Sequence, residues 1–173
     1  MSVKFKEDEL IAIVGLSCRF PGGIKTLDDY WEVLTSGKDV ITTIPAHRWS
    51  QDRFYHSLRS APGRSCTFSA GVVEGAGCFD HEFFGLPHGE AKYMDPQQRI
   101  MLELAWEMFE NANKLPSRFS ESNTSVHIGV SAMDASTSLS DDPWLMGPFT
   151  MISNSLTIIA NRISYYFNLH GPS

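Results

Sequence analysis

Three thiols and a scatter of imidazoles are the side chains through which this protein could do chemistry. Cys18, Cys66 and Cys78 would act as nucleophiles if a cation or a helix N-terminus held them as thiolates. No CxxC spacing joins them and their number is odd, so they read as free thiols of a reducing compartment, which implies a cytoplasmic protein. The six histidines contain no HxxxH pair, so no metal is expected. His81 and His88 flank Phe83-Phe84-Gly85 and read as surface groups. His127 differs, because it interrupts an apolar run where an imidazole is either hydrogen-bonded within the core or held as a general base.

These groups need a scaffold, and the apolar pattern suggests one. Residues 10–14 are continuously apolar and closed by Gly15, as expected of a strand buried on both faces; residues 125–130 read the same way. Leu27, Tyr30, Trp31 and Leu34 recur at helical spacing between Thr26, a candidate N-cap, and Gly37, a stop, so their aromatics read as core. Residues 38–75 are rich in loops, with a strand or hairpin arm expected over 65–73. Asp95-Pro96 opens a helix whose buried stripe is expected to be Ile100, Met101, Leu104, Ala105 and Met108. A third helix is expected over 153–167. Strands and helices in this order predict an α/β layered architecture.

Composition bounds the function. A chain of 173 residues with 42% hydrophobic residues can build a packed core as one domain. Its formal net charge is −6, with Lys and Arg scattered singly, which argues against nucleic acid and against an anionic membrane surface. The early apolar run is too short to span a bilayer or to form a secretory core.

Four blocks then carry a family resemblance: Ile11-Ala-Ile-Val-Gly-Leu-Ser-Cys-Arg-Phe-Pro-Gly-Gly23; Phe79-Asp80 with Phe83-Phe84-Gly85; Met94-Asp-Pro-Gln-Gln-Arg99 with Leu102-Glu-Leu-Ala-Trp-Glu107; and Ala160-Asn-Arg-Ile-Ser-Tyr165 through Gly171-Pro-Ser173. Together they resemble the N-terminal half of the β-ketoacyl synthase domain of type I polyketide synthases, in its fungal style. The likeness covers residues 9–173, leaving residues 1–8 as an N-terminal extension. It implies a truncated thiolase-like α/β domain, an incomplete layered sheet with packed helices. In that family the nucleophilic cysteine, two histidines and a lysine follow the Gly-Pro-Ser block, and no position here matches them. The decarboxylative condensation needs a thiolate and oxyanion donors, so the chain is not expected to be a ketosynthase by itself.

The resemblance also places residues 131–140 and 149–154 beside the family's acyl pocket and dimer face, which makes Asp134, Ser153 and Asn154 candidate substrate contacts. Each also has a plainer reading, helix capping for Ser153 and Asn154 and a solvated carboxylate for Asp134. Asp134 with His127 is the one Asp/His combination in the pocket-matching segments, a candidate pair for general-base catalysis. The implied function is that of a free-standing accessory protein of polyketide biosynthesis, assisting release of the thioester by hydrolysis or lactonisation. A silent scaffold module and a non-functional fragment of a synthase remain the alternatives. No cofactor is implied beyond the phosphopantetheine of an acyl carrier protein that would tether the substrate. The expected partners are a polyketide synthase or its acyl carrier protein. Homodimerisation is expected too, since the two strand candidates lack covering strands.

Overall fold

The computed structural model describes residues 10–132, 147–153 and 155–173. They gather into two compact units, one of residues 18–78 and one that joins residues 10–17 to the described residues from 79 onward.

In the first unit, helix α1 (Leu27–Ser36) has its ends where local chemistry puts them. The Thr26 hydroxyl accepts from the Asp29 N–H at 3.1 Å while the Asp29 carboxylate accepts from the Thr26 N–H at 2.9 Å. The Thr26 hydroxyl, and after it the N–H groups of Lys25 and Thr26, hold the Asp29 carboxyl below the usual carboxylate range. Gly37 ends the helix in the left-handed region at φ 64°, which glycine adopts without a steric penalty. The expected core stripe is not core. Trp31 is 67% exposed, and Leu27, Tyr30 and Leu34 are exposed with it. A periodic apolar face needs an element to cover it, and the sheet of this unit is only β1 (Ile41–Thr43) paired antiparallel with β2 (Ser69–Gly71), Ile41 opposite Gly71. Strand β2 lies inside the arm expected over 65–73. Helix α2 (Gln51–Phe54) separates the two strands in sequence.

The second unit holds α3 (His88–Tyr93), α4 (Pro96–Asn111), a 3-10 turn (Pro116–Arg118), α5 (Thr150–Ser153) and α6 (Leu156–Tyr166). Asp95 caps α4 through Oδ1, which accepts from the Gln97 N–H at 2.7 Å, and Pro96 takes the first turn, where its missing N–H costs nothing. Helices α4 and α6 pack together around Phe84, Met94, Leu102, Phe109, Ile163, Phe167 and Leu169. Aromatic contacts knit this core, with Phe109 and Phe167 centroids 5.0 Å apart. The deepest residues of α4 are Gln98, Leu102 and Phe109 rather than the predicted Ile100, Met101, Leu104, Ala105 and Met108, all of which are half-buried. The reason is that α4 is covered on more than one side. Ser17 Oγ donates to the Leu104 carbonyl at 2.8 Å, and the Leu16 N–H donates to Asn111 Oδ1 at 3.0 Å. Gly15 sits so close that a Cβ would collide with the Met108 carbonyl and Ala112.

Both strand expectations are corrected. Residues 10–14 belong to no ladder among the described residues, and Ile11 and Ile13 are 93% and 78% exposed. Residues 125–130 also join no ladder; Val126 and Ile128 pack against the core while His127 and Gly129 lie on the other side of the chain. That period of two belongs to an extended chain with one covered face, not two. The third helix begins at Leu156, three residues later than expected, with Ser155 in the N-cap position.

One partial pairing does form. The His170 N–H donates to the Ser122 carbonyl at 2.8 Å and the Val126 N–H to the Pro172 carbonyl at 2.9 Å, so the two segments run side by side in the same direction. Pro172 has no N–H to add, and Gly171 approaches the Thr124 carbonyl so closely that no side chain fits.

Candidate functional site

The polar groups of the second unit converge where α3, α4, α5 and α6 meet. Helix α6 is apolar apart from a few positions, and its buried residues include Ile159, Ile163 and Arg162. A guanidinium placed there must find a counter-charge. It finds Glu90 on α3, with Arg162 Nη1 2.6 Å from Glu90 Oε1 and side chains only 8% and 14% exposed. Arg162 Nε donates to Gln98 Oε1 at 3.1 Å. Gln98 Nε2 in turn donates to the Ile152 carbonyl at 3.1 Å, and the Asp95 N–H donates to the Ser153 carbonyl at 2.9 Å. A continuous polar chain thus clasps the four helices. Asp95 Oδ2, Ser153 Oγ, Arg162 Nη2 and Ser164 Oγ are buried without a hydrogen-bond partner among the described residues.

Beside the clasp lies a cavity of about 280 Å³, walled by Phe84, Leu86, Leu102, Tyr165 and Tyr166 with Glu90 and Arg162. Burial pushes the Tyr166 phenol above its ordinary value. Among the described residues the cavity's lining is aromatic and aliphatic around a paired guanidinium and carboxylate.

The candidates from the sequence are spread out. His127 is exposed, on the side of the extended segment opposite Val126 and Ile128. Ser153 ends α5 and is fully buried, its N–H donating to the Phe149 carbonyl at 2.8 Å. Asp134 and Asn154 lie outside the described residues. Cys18 is buried, and Cys66 and Cys78 are exposed; no disulfide joins them. His81 and His88 prove to be neighbours, their rings stacked with centroids 5.3 Å apart, and His81 Nδ1 lies 2.9 Å from the Leu86 carbonyl. Among the described residues, no group of three or more His, Cys, Asp or Glu side chains could hold a metal ion, and no helix is long and apolar enough to cross a membrane.

Sequence reasoning passed over Glu90, Gln98 and Arg162. A signal was available, because Arg162 stands in a helix that contains no acidic residue and so had to be paired from elsewhere in the chain.

Comparison with known proteins gives a consistent answer. The family model described as beta-ketoacyl synthase, N-terminal domain, matches residues 8–173. The phthioceranic/hydroxyphthioceranic acid synthase of Mycobacterium tuberculosis is 37% identical over 163 residues, 94% of this chain and 8% of that protein. The polyketide synthase GfsB of Streptomyces halstedii is 38% identical over 167 residues, 96% of this chain and 3% of that protein. Among solved structures, the oxazolomycin ketosynthase domain OzmH KS7 of Streptomyces albus superposes with a TM-score of 0.80 at 31% identity, over 93% of this chain and 27% of that one. The ketosynthase from module 6 of the bacillaene synthase of Bacillus subtilis gives 0.76 at 32% identity, over 94% and 25%. The chain thus spans less than a tenth of these two synthases and about a quarter of the solved ketosynthase chains. With these neighbours, the partial α/β fold of a small sheet and packed helices is thiolase-like.

Proposed function

Because the chain belongs to the beta-ketoacyl synthase N-terminal domain family, we propose that it serves polyketide biosynthesis as the N-terminal structural part of a ketosynthase-type domain. In this role it supplies scaffold, not the condensation nucleophile. The observation that supports this reading is an uncovered apolar segment in the second unit. Residues 10–14 present Leu10, Ile11, Ile13 and Val14 to solvent, and residues 122–126 already run beside 170–172 in the same direction. An exposed apolar segment outside any ladder is a template for pairing with further strands. The test is a chimera in which this chain replaces the matching residues of the OzmH KS7 ketosynthase. It is expected to fold and to form an acyl-enzyme with an acyl-thioester, read by intact mass. A chimera that stays unfolded, or folds and remains unacylated, overturns the proposal. In isolation, the same apolar segment is covered by a second copy of the chain, giving a homodimer that light scattering would detect.

A second reading, release of a carrier-bound polyketide by hydrolysis or lactonisation, is favoured by one observation, the exposure of His127. An imidazole reachable by water or a substrate hydroxyl can act as a general base, with Asp134 as its candidate carboxylate partner and the phosphopantetheine thioester of an acyl carrier protein as substrate. Faster product release on adding the chain to a loaded synthase, lost in His127→Ala, supports this reading. Release that is unchanged by the chain removes it.

A further inference from the structure

The guanidinium of the polar clasp has more donors than the clasp uses. The Arg162 side chain is only 8% exposed, with Nη1 bonded to Glu90 Oε1 and Nε to Gln98 Oε1. Nη2 is buried and has no hydrogen-bond partner among the described residues. Donors of a cation that are withdrawn from water and left unmatched are costly, so an acceptor is called for at that nitrogen. Glu90 has capacity of the opposite kind. An ionised carboxylate accepts about four hydrogen bonds, of which the Arg162 bond takes one.

Both residues line the cavity of about 280 Å³. Its apolar walls include Phe84, Leu86, Leu102 and Tyr166, and they are firmly built. The Phe84 ring stacks on Phe79 with centroids 5.1 Å apart and meets the Tyr166 ring at 5.0 Å, while Leu102 is fully buried. An apolar enclosure with a few convergent polar groups is the lining of a small-molecule site. Ligand pockets run from roughly 300 Å³ upward, so this volume sets the occupant's size at a single ring with a short substituent. The walls do not include residues 149–153, the described part of the stretch that the family resemblance sets beside the acyl pocket.

We propose that this cavity binds a small neutral carboxamide carried on an aromatic ring, its carbonyl accepting from Arg162 Nη2 and its N–H donating to Glu90. The ion pair is already charge-balanced, so a neutral group with both a donor and an acceptor complements it. A carboxylate would bring a second negative charge against Glu90, and a hydrocarbon would leave Nη2 unmatched. The proposal goes beyond the scaffold reading and stands apart from it, because no acyl transfer enters its test.

The probe is benzamide, titrated into the whole chain and followed by the amide chemical shifts of Leu86 and Tyr166 and by the Arg162 Nε–H signal, with benzoate and ethylbenzene as controls. Benzamide is expected to saturate these shifts and to bind about tenfold more tightly than either control. Arg162→Lys keeps the positive charge and removes Nη2, and is expected to bring benzamide down to the level of ethylbenzene. Because that substitution touches the clasp, Leu86→Trp gives a second test. It fills the cavity from a half-buried wall position, leaves the guanidinium in place and is expected to abolish binding, with the fold checked by circular dichroism. Four results overturn the proposal: no saturable shift with benzamide at millimolar concentration, which would leave Nη2 to water alone; benzoate or ethylbenzene binding as tightly; an unchanged preference for benzamide in folded Arg162→Lys; or undiminished binding in Leu86→Trp.

Discussion

Arg162 and Glu90 lie 72 residues apart in sequence and 2.6 Å apart in space, as the central link of the polar clasp that joins α6 to α3. Removing one partner of such a pair leaves a buried charge unmatched, whereas removing both leaves a smaller defect. Glu90→Leu alone and Arg162→Met alone are each expected to lower unfolding free energy by about 3 kcal/mol. In the double variant Glu90→Leu/Arg162→Met the remaining cost is the unpaired Gln98 Oε1, about 1–3 kcal/mol. Urea unfolding of the two singles and the double therefore should give a coupling above about 1 kcal/mol; strictly additive losses would show that the pair is not a unit.

Gly171 and Gly77 make a second test. A side chain at Gly171 collides with the Thr124 carbonyl and Ser125 N, while one at Gly77 meets no atom within 4 Å. Gly171→Ala is expected to cost about 1–3 kcal/mol by pushing 170–172 off 122–126, and Gly77→Ala to stay within about 0.5 kcal/mol. Amide exchange at Val126 and His170 reports the pairing directly, and unaltered protection of both in Gly171→Ala would contradict the close approach.

Tyr166 predicts an alkaline weakness. Burial raises its phenol above the ordinary value of 10.0, so the folded chain holds this proton more tightly than the unfolded one. The resulting stability is fully present below the unfolded pKa and is lost as the pH rises through the folded pKa. The urea midpoint of the wild type should fall over that alkaline window, and that of Tyr166→Phe should fall less. Parallel profiles for the two proteins would rule out the phenol as the source.

The parts legible in the sequence are those decided within a few residues. Thr26, Asp29 and Gly37 bound α1 because a capping box and a left-handed glycine act locally, and Asp95-Pro96 starts α4 for the same kind of reason. The family could also be read, because its motifs are contiguous blocks of side chains. Burial could not be read this way. The apolar stripe of α1 and the run at 10–14 look like core because periodicity records a face, yet a face is buried only when another element covers it. The candidate site divides likewise. Nothing adjacent to Arg162 in sequence names Glu90 as its partner, and nothing adjacent to His127 says that it faces solvent. Those outcomes depend on which segments, far apart along the chain, the fold packs against each other, and only the tertiary structure decides that.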